Sequence, residues 1–144
     1  MNIIDAFDRG TISNIEPRKN SVLISITSNQ HSHPKVSNDW CKILRLKFDD
    51  VDGRVTEIGD STNVLTEKQA KEILDFVVEN IDKDFFINCD AGISRSTAIV
   101  VALELIFNGR DFSDKYPYHN KFVKNRIKDV WFKTIWNKKD ERID

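Results

Sequence analysis

The stretch "FFINCDAGISRSTAIVVALELIF" (85–107) decides how this chain folds. It opens on a brief apolar run, "FFIN", of strand type. It closes on "RSTAIVVALELIF" (95–107), apolar on nearly every side, the pattern of a central buried helix that stops at Asn108-Gly109. Between the two, apart from Asp90 and Ile93, only small or flexible residues connect Cys89 to Arg95. A strand, a tight loop and a buried helix therefore follow one another without a break.

Upstream, the pattern repeats. Thr66 and Gln69 have the spacing of a capping box, and Leu65 and Ala70 that of a hydrophobic staple. Ala70, Ile73, Leu74, Val77, Val78 and Ile81 then recur at helical spacing, which predicts a helix over 66–81. "SVLISIT" (21–27) reads as a strand, and the polar "NQHSHPKVSND" after it as a loop. "KILRLKF" (42–48) reads as a half-buried strand, with Leu44, Leu46 and Phe48 on one face and Arg45 and Lys47 on the other. An acidic loop (49–63) follows it. Beyond Pro117 a last helix is expected, its inner face marked by Phe122, Val123, Ile127, Val130, Trp131, Thr134 and Ile135. Strands alternating with helices imply an α/β fold: a single domain over 1–144, with a central, mainly parallel sheet flanked by helices in three layers.

Composition agrees with a globular domain. The 144 residues are 40% hydrophobic and 31% charged, with a net charge of −1. That balance gives no bulk attraction to nucleic acid or to an acidic membrane surface. No apolar run approaches the roughly 20 residues that span a bilayer. "MNIIDAFDRGT" has acids and no basic leader with an apolar core, so no signal peptide is expected. Two cysteines in unlike contexts, Cys41 and Cys89, point to a reducing, cytoplasmic setting.

In parallel sheets, sites form at the carboxyl ends of the strands. Cys89 ends one strand, and Asp49, Asp50 and Asp52 follow the end of another, so parallel pairing brings both groups to one edge. Cys41 stands at the opposite end of its strand. At about 3.3 Å per residue that is about 20 Å away, too far for a disulfide with Cys89.

A tight loop entering a helix near Arg95 aims successive backbone N–H groups at one point. Such a nest, with the positive end of the helix dipole, suits a multiply charged oxyanion. Ala91 and Gly92 let the backbone curl and approach the anion, and Arg95 closes the ring with a planar, two-pronged donor. The same field acts on the thiol.

Cys89-Asp-Ala-Gly-Ile-Ser-Arg95-Ser96 resembles the C-x5-R-[ST] phosphate-binding loop of the cysteine-dependent protein tyrosine phosphatases, nearest the small dual-specificity-like bacterial and viral branch. A weaker likeness extends over about 42–107. The resemblance implies attack by Cys89 on phosphorus to form a phosphocysteine. Arg95 and the loop of Asp90, Ala91, Gly92, Ile93 and Ser94 would hold the oxygens, and Ser96 would ease departure of the thiolate. It implies no metal and no organic cofactor. An aspartate would protonate the leaving oxygen and then activate water. Asp50 matches best when "RLKFDD" is laid against the family's strand-then-Asp ending, with Asp49 and Asp52 in reserve. Asp60 fits the interval to the cysteine better but has no strand before it. The family usually carries histidine just before the cysteine, and here that residue is Asn88.

Elsewhere the bland readings prevail. Asp90 is expected to face solvent, its backbone amide mattering more than its carboxylate. His31 and His33 of "HSH" read as an exposed loop rather than a metal site. Trp40, Trp131 and Trp136 could line a substrate rim, but packing is the expected role for Trp131. The mixed-charge tail "NKKDERID" reads as frayed surface.

The expected function is thus a protein tyrosine or dual-specificity phosphatase. Its partner would be a phosphorylated protein or another phosphomonoester, with no nucleic acid and no membrane; the sequence leaves the oligomeric state open. Three alternatives stand beside it: a catalytically weak phosphate-binding module, a phosphoinositide or RNA 5′-phosphatase, and sulfur transfer of the rhodanese type. The Gly92…Arg95-Ser96 register favours a phosphatase over the last.

Overall fold

Along the chain the elements are β1 (Asn2–Phe7), α1 (Arg9–Ser13), β2 (Ser21–Thr27), β3 (Lys42–Lys47), α2 (Glu67–Glu79), β4 (Asp84–Asn88), α3 (Arg95–Leu103) and α4 (Lys121–Ile143). The computed structural model describes residues 1–51 and 63–143, with side chains to 137. Asp52 and Asp60 lie outside the described residues.

The four strands form one sheet in the order β1-β4-β2-β3. Among the described residues every pairing is parallel, in line with the expected mainly parallel sheet. β2, central and buried along its whole length, is the near-continuous β-branched and apolar run that such sheets require. β3 sits at an edge, which is why it alternates, with Leu46 buried and Arg45 exposed.

The two faces are covered unequally. Val22, Ile24, Ile26, Phe85 and Ile87 pack against the apolar sides of α2, α3 and α4 in the main core. The other face has only a small cluster, Ile12 of α1 with Leu23, Trp40 and Phe86. Among the described residues the layer on that face is one short helix and loop, so helices flank the sheet on both faces as expected, with the thinner layer here. Trp40 meets Phe86 edge-on at 5.0 Å, and Trp131 packs on Phe107 at 4.9 Å, so both are packing residues. Trp136 is exposed.

α2 begins where expected: Thr66 accepts from Gln69 N–H at 3.0 Å, and the Gln69 side chain accepts from Thr66 N–H at 3.1 Å. α3 is buried at every residue. It passes into a π-turn (Glu104–Asn108) and ends at Gly109, whose φ of 66° closes the helix.

β1 and α1 have no counterpart in the reading of the sequence. The reason is local. The register of β1 on β4 shifts between Ile3 and Asp5, which breaks the period-2 alternation that marks a strand.

Parallel pairing sets Phe7 beside Asn88, Asn88 beside Ser25, and Thr27 beside Lys47. The segments that follow the four strands, beginning at Asp8, Ser28, Phe48 and Cys89, therefore emerge at one edge of the sheet. No helix among the described residues is long and apolar enough to cross a membrane.

Candidate active site

The loop from Cys89 to Ser94 is stitched to its neighbours through its carbonyls and its first amide. Cys89 N–H donates to Phe7 O at 3.2 Å, and Asp90 O accepts from Arg9 N–H at 3.1 Å. At the far end Ser94 O accepts from Ala98 N–H and from Asn120 N–H, each at 3.0 Å. Gly92 has a φ of 75°, and a Cβ there would stand 2.6 Å from Asp8 N and 2.7 Å from the Phe7 carbonyl carbon. The loop thus needs glycine because it presses on the end of β1, a strand the sequence reading had not placed.

Cys89 lies at the bottom of this loop, 1% exposed. Its Sγ accepts from Gly92 N–H at 3.2 Å and stands 3.1 Å from Ser96 Oγ. When sulfur is ionised, the Ser96 hydroxyl is the donor of that pair. The sulfur therefore sits between one backbone donor of the loop and one hydroxyl of α3. The side chain of Ser94 does not cap α3, which starts at Arg95. It donates to Asp50 Oδ1 at 2.7 Å.

Arg95 is 4% exposed. Nη1 donates to Phe48 O at 2.8 Å and to Ser28 Oγ at 3.0 Å, and Nη2 donates to Asp90 Oδ2 at 3.0 Å. Its Nε has no hydrogen-bond partner among the described residues. A buried N–H without a partner is costly and calls for an acceptor, here on a guanidinium beside the loop.

Asp90 does not face solvent as expected. Its carboxylate turns inward to Arg95 and Ser28, because that buried cation needs an acceptor and Asp90 is the acid nearest in the loop. Burial pushes its carboxyl up. Hydrogen bonds from Ser28 Oγ and Arg95, the Arg95 charge, and Ser28 N–H outweigh that and hold it at about 2. His31 of the "HSH" loop joins the same cluster, Nδ1 3.6 Å from Asp90 Oδ2.

The two described acids after β3 go different ways. Asp49 Oδ1 accepts from Asn29 N–H at 3.0 Å. Asp50 Oδ1 accepts from Ser94 Oγ and, at 2.8 Å, from Asn120 Nδ2. Of these two, Asp50 is the one joined to the loop. Asn120 also caps α4, its Oδ1 accepting from Val123 N–H at 3.1 Å, and donates to Val51 O at 3.0 Å. Asn88 is fully buried, its Nδ2 donating to Cys89 O at 3.4 Å and its Oδ1 without a partner among the described residues.

Ser28, Arg9 and Asn120 are site residues that the sequence reading missed. Asn120 alone left a signal, an asparagine just before a helical run, which identifies a cap but not a second duty toward Asp50.

No protein-family model matches the chain, and no curated protein matches it. Among solved structures, one similar chain is the human tyrosine phosphatase-like serine/threonine/tyrosine-interacting protein. It is 19% identical, with 81% of this chain and 78% of that one covered, at a TM-score of 0.49.

Proposed function

We propose that this chain is a cysteine-dependent phosphomonoester hydrolase of the protein tyrosine or dual-specificity phosphatase type. The observation that carries it is the convergence on one short loop of a buried thiol and a buried guanidinium whose Nε lacks a partner among the described residues. A monoester would enter with its oxygens on the loop N–H groups and on Arg95. Cys89 Sγ attacks phosphorus and forms an S–P bond as the P–O bond to the leaving group breaks. Asp50, held by Ser94 and Asn120, gives its proton to that departing oxygen. Water then attacks the phosphocysteine and passes a proton to Asp50. Sulfur leaves as thiolate, stabilised by Ser96 and by Gly92 N–H, and inorganic phosphate is released.

Ile93, 59% exposed, leaves apolar surface on the loop. That suits an aryl or peptide phosphate, and a phosphorylated protein is the substrate class we favour. The second reading, a phosphate-binding module with little turnover, draws on Asn88, whose Oδ1 is buried without a partner among the described residues where the resembled family has an imidazole.

Hydrolysis of a small aryl phosphate tests the two. The hydrolase reading expects turnover that vanadate inhibits and that Cys89→Ser abolishes. Folded protein that binds phosphopeptide without turnover between pH 5 and 8 would leave the binding module in its place.

A further inference from the structure

Asp90 draws together this end of the sheet. Its Oδ2 accepts from Ser28 Oγ at 2.7 Å, Arg95 Nη2 at 3.0 Å and Ser28 N–H at 3.3 Å. Its Oδ1 lies 3.5 Å from Arg9 Nη1, on the helix whose first N–H binds the Asp90 carbonyl. The Arg95 and Asp90 side chains are 5% and 21% exposed, so the pair is largely withdrawn from water. In that setting, removing one partner leaves an uncompensated buried charge.

The donors of Arg95 can be accounted for one by one. A guanidinium has five N–H groups in a plane: two on each Nη and one on Nε. Ser28 Oγ and Asp90 Oδ2 are 2.7 Å apart, so the pair spans the end of the fork between Nη1 and Nη2. Phe48 O takes the other Nη1 proton. The edge that remains is the Nε–H with the adjacent Nη2 proton, two parallel donors at the spacing of two oxygens of a tetrahedral oxyanion. Nε is the atom of Arg95 that lacks a partner among the described residues.

We propose that Asp90 is the positioning residue for Arg95: with Ser28 it holds the end of the guanidinium fork and so reserves the Nε–Nη2 edge for the oxyanion. The inference rests on the phosphate-binding reading of the loop given above. Asp90 does not touch substrate in this role. Without it, Nη2 has no carboxylate to hold it and the guanidinium is anchored at Nη1 alone, by Phe48 O and Ser28 Oγ, so the paired donors are held less firmly against two oxygens at once.

The test uses the full chain and inorganic vanadate as the oxyanion. Its inhibition constant, and kcat and KM for an aryl phosphate, are measured for the wild type, Asp90→Ala, Asp90→Asn, Ser28→Ala and the Asp90→Ala/Ser28→Ala pair. Asp90→Ala should raise both KM and the vanadate constant by about 10- to 100-fold, the range expected for a hydrogen bond to a charged group. Asp90→Asn keeps an acceptor for Nη2 and should recover to within about 10-fold of the wild type. The double variant should lose less than the product of the single losses, because both residues hold one end of one fork. If Asp90→Ala and Asp90→Asn lower melting temperature or kcat while KM and the vanadate constant stay put, Asp90 only braces the loop and the inference is wrong. A wild type that binds vanadate without turnover, with binding still weakened in Asp90→Ala, would keep the inference and remove the hydrolase. A folded wild type that binds no vanadate removes both.

Discussion

The two sides of the site are built on different principles. On one, Asp90, Arg95 and Ser28 are side chains of a loop, a helix and a strand end, drawn together around a buried ion pair. On the other, Asp50 is exposed, and it reaches the loop through Ser94 and the capping residue of a distant helix. In the proposed reaction the first side would bind the oxyanion, a task that rewards fixed geometry in a dry place. The second would move protons to and from water, a task that needs solvent access. Rigidity and exposure are divided between the two because one carboxylate could not serve both.

If that division holds, the buried side should fail hardest. Arg95→Lys replaces a planar fork by a point charge with three donors. Those donors cannot serve Phe48 O, Ser28 Oγ, Asp90 and an oxyanion together. Turnover of any phosphomonoester should fall by about 1,000-fold, roughly 4 kcal/mol of transition-state stabilisation. An Arg95→Lys enzyme within about tenfold of the wild type in kcat/KM, only about 1.4 kcal/mol, would show that the buried side is not where binding energy resides.

The exposed side should fail selectively. Asp50→Ala should slow an alkyl phosphate by about 100-fold, in the range of general acid catalysis, and a nitrophenyl phosphate much less, because its leaving group needs little protonation. Asp49, bound to the Asn29 amide, should show no such contrast when changed to alanine. An Asp49→Ala variant that discriminates between leaving groups, with an Asp50→Ala variant that does not, would reverse the assignment.

How far each side could be read from the sequence follows from the same division. Cys89, Gly92, Arg95 and Ser96 were legible because their spacing is fixed by a strand, a loop and a helix that are contiguous in the chain. The helix expected over 66–81 is legible because its cap and most of its apolar face are local patterns; it forms over Glu67–Glu79, with Val78 turned to solvent and Ile81 exposed beyond its end. What could not be read depends on contacts across the sheet. Ser28 meets Arg95 only because β2 and β4 pair in parallel, and Asp90 turns inward only because Arg95 arrives buried. β1 hid behind its own irregular register, and with it the reason Gly92 must be glycine. The motif alone favours Asp50 over Asp49; the two also differ in their hydrogen bonds, and one that Asp50 accepts comes from Asn120, far along the chain.

Acid titration probes the buried side by a route independent of catalysis. The Asp90 carboxyl is held at about 2 against an ordinary 3.8, so it is a depressed carboxylate. Its contribution is fully present above the unfolded value and is lost as pH falls from about 4 through about 2. That difference is worth about 2 kcal/mol. Denaturant unfolding of the wild type should therefore weaken over this window by about that much more than unfolding of Asp90→Asn, which has no carboxyl to protonate. Parallel curves would mean that the Asp90–Arg95 pair adds nothing to the folded state that water does not also give.

The smallest effect expected is at Asn120, and it sharpens the comparison most finely, since this residue serves both the fold and the exposed acid. Its Oδ1 caps α4 through Val123 N–H, and its Nδ2 holds Asp50 and Val51 O. Its own N–H binds Ser94 O, a contact that alanine keeps. Asn120→Ala should cost about 1 kcal/mol of stability through the lost cap. Asn120→Asp restores the cap acceptor but places a second carboxylate against Asp50, where like charges oppose ionisation. The cap predicts that aspartate recovers the stability; the tether predicts that it does not recover alkyl phosphate turnover and moves the pH profile of that turnover upward. Recovery of both in the aspartate variant would reduce Asn120 to a helix cap, and Asp50 would then stand at the loop by Ser94 alone.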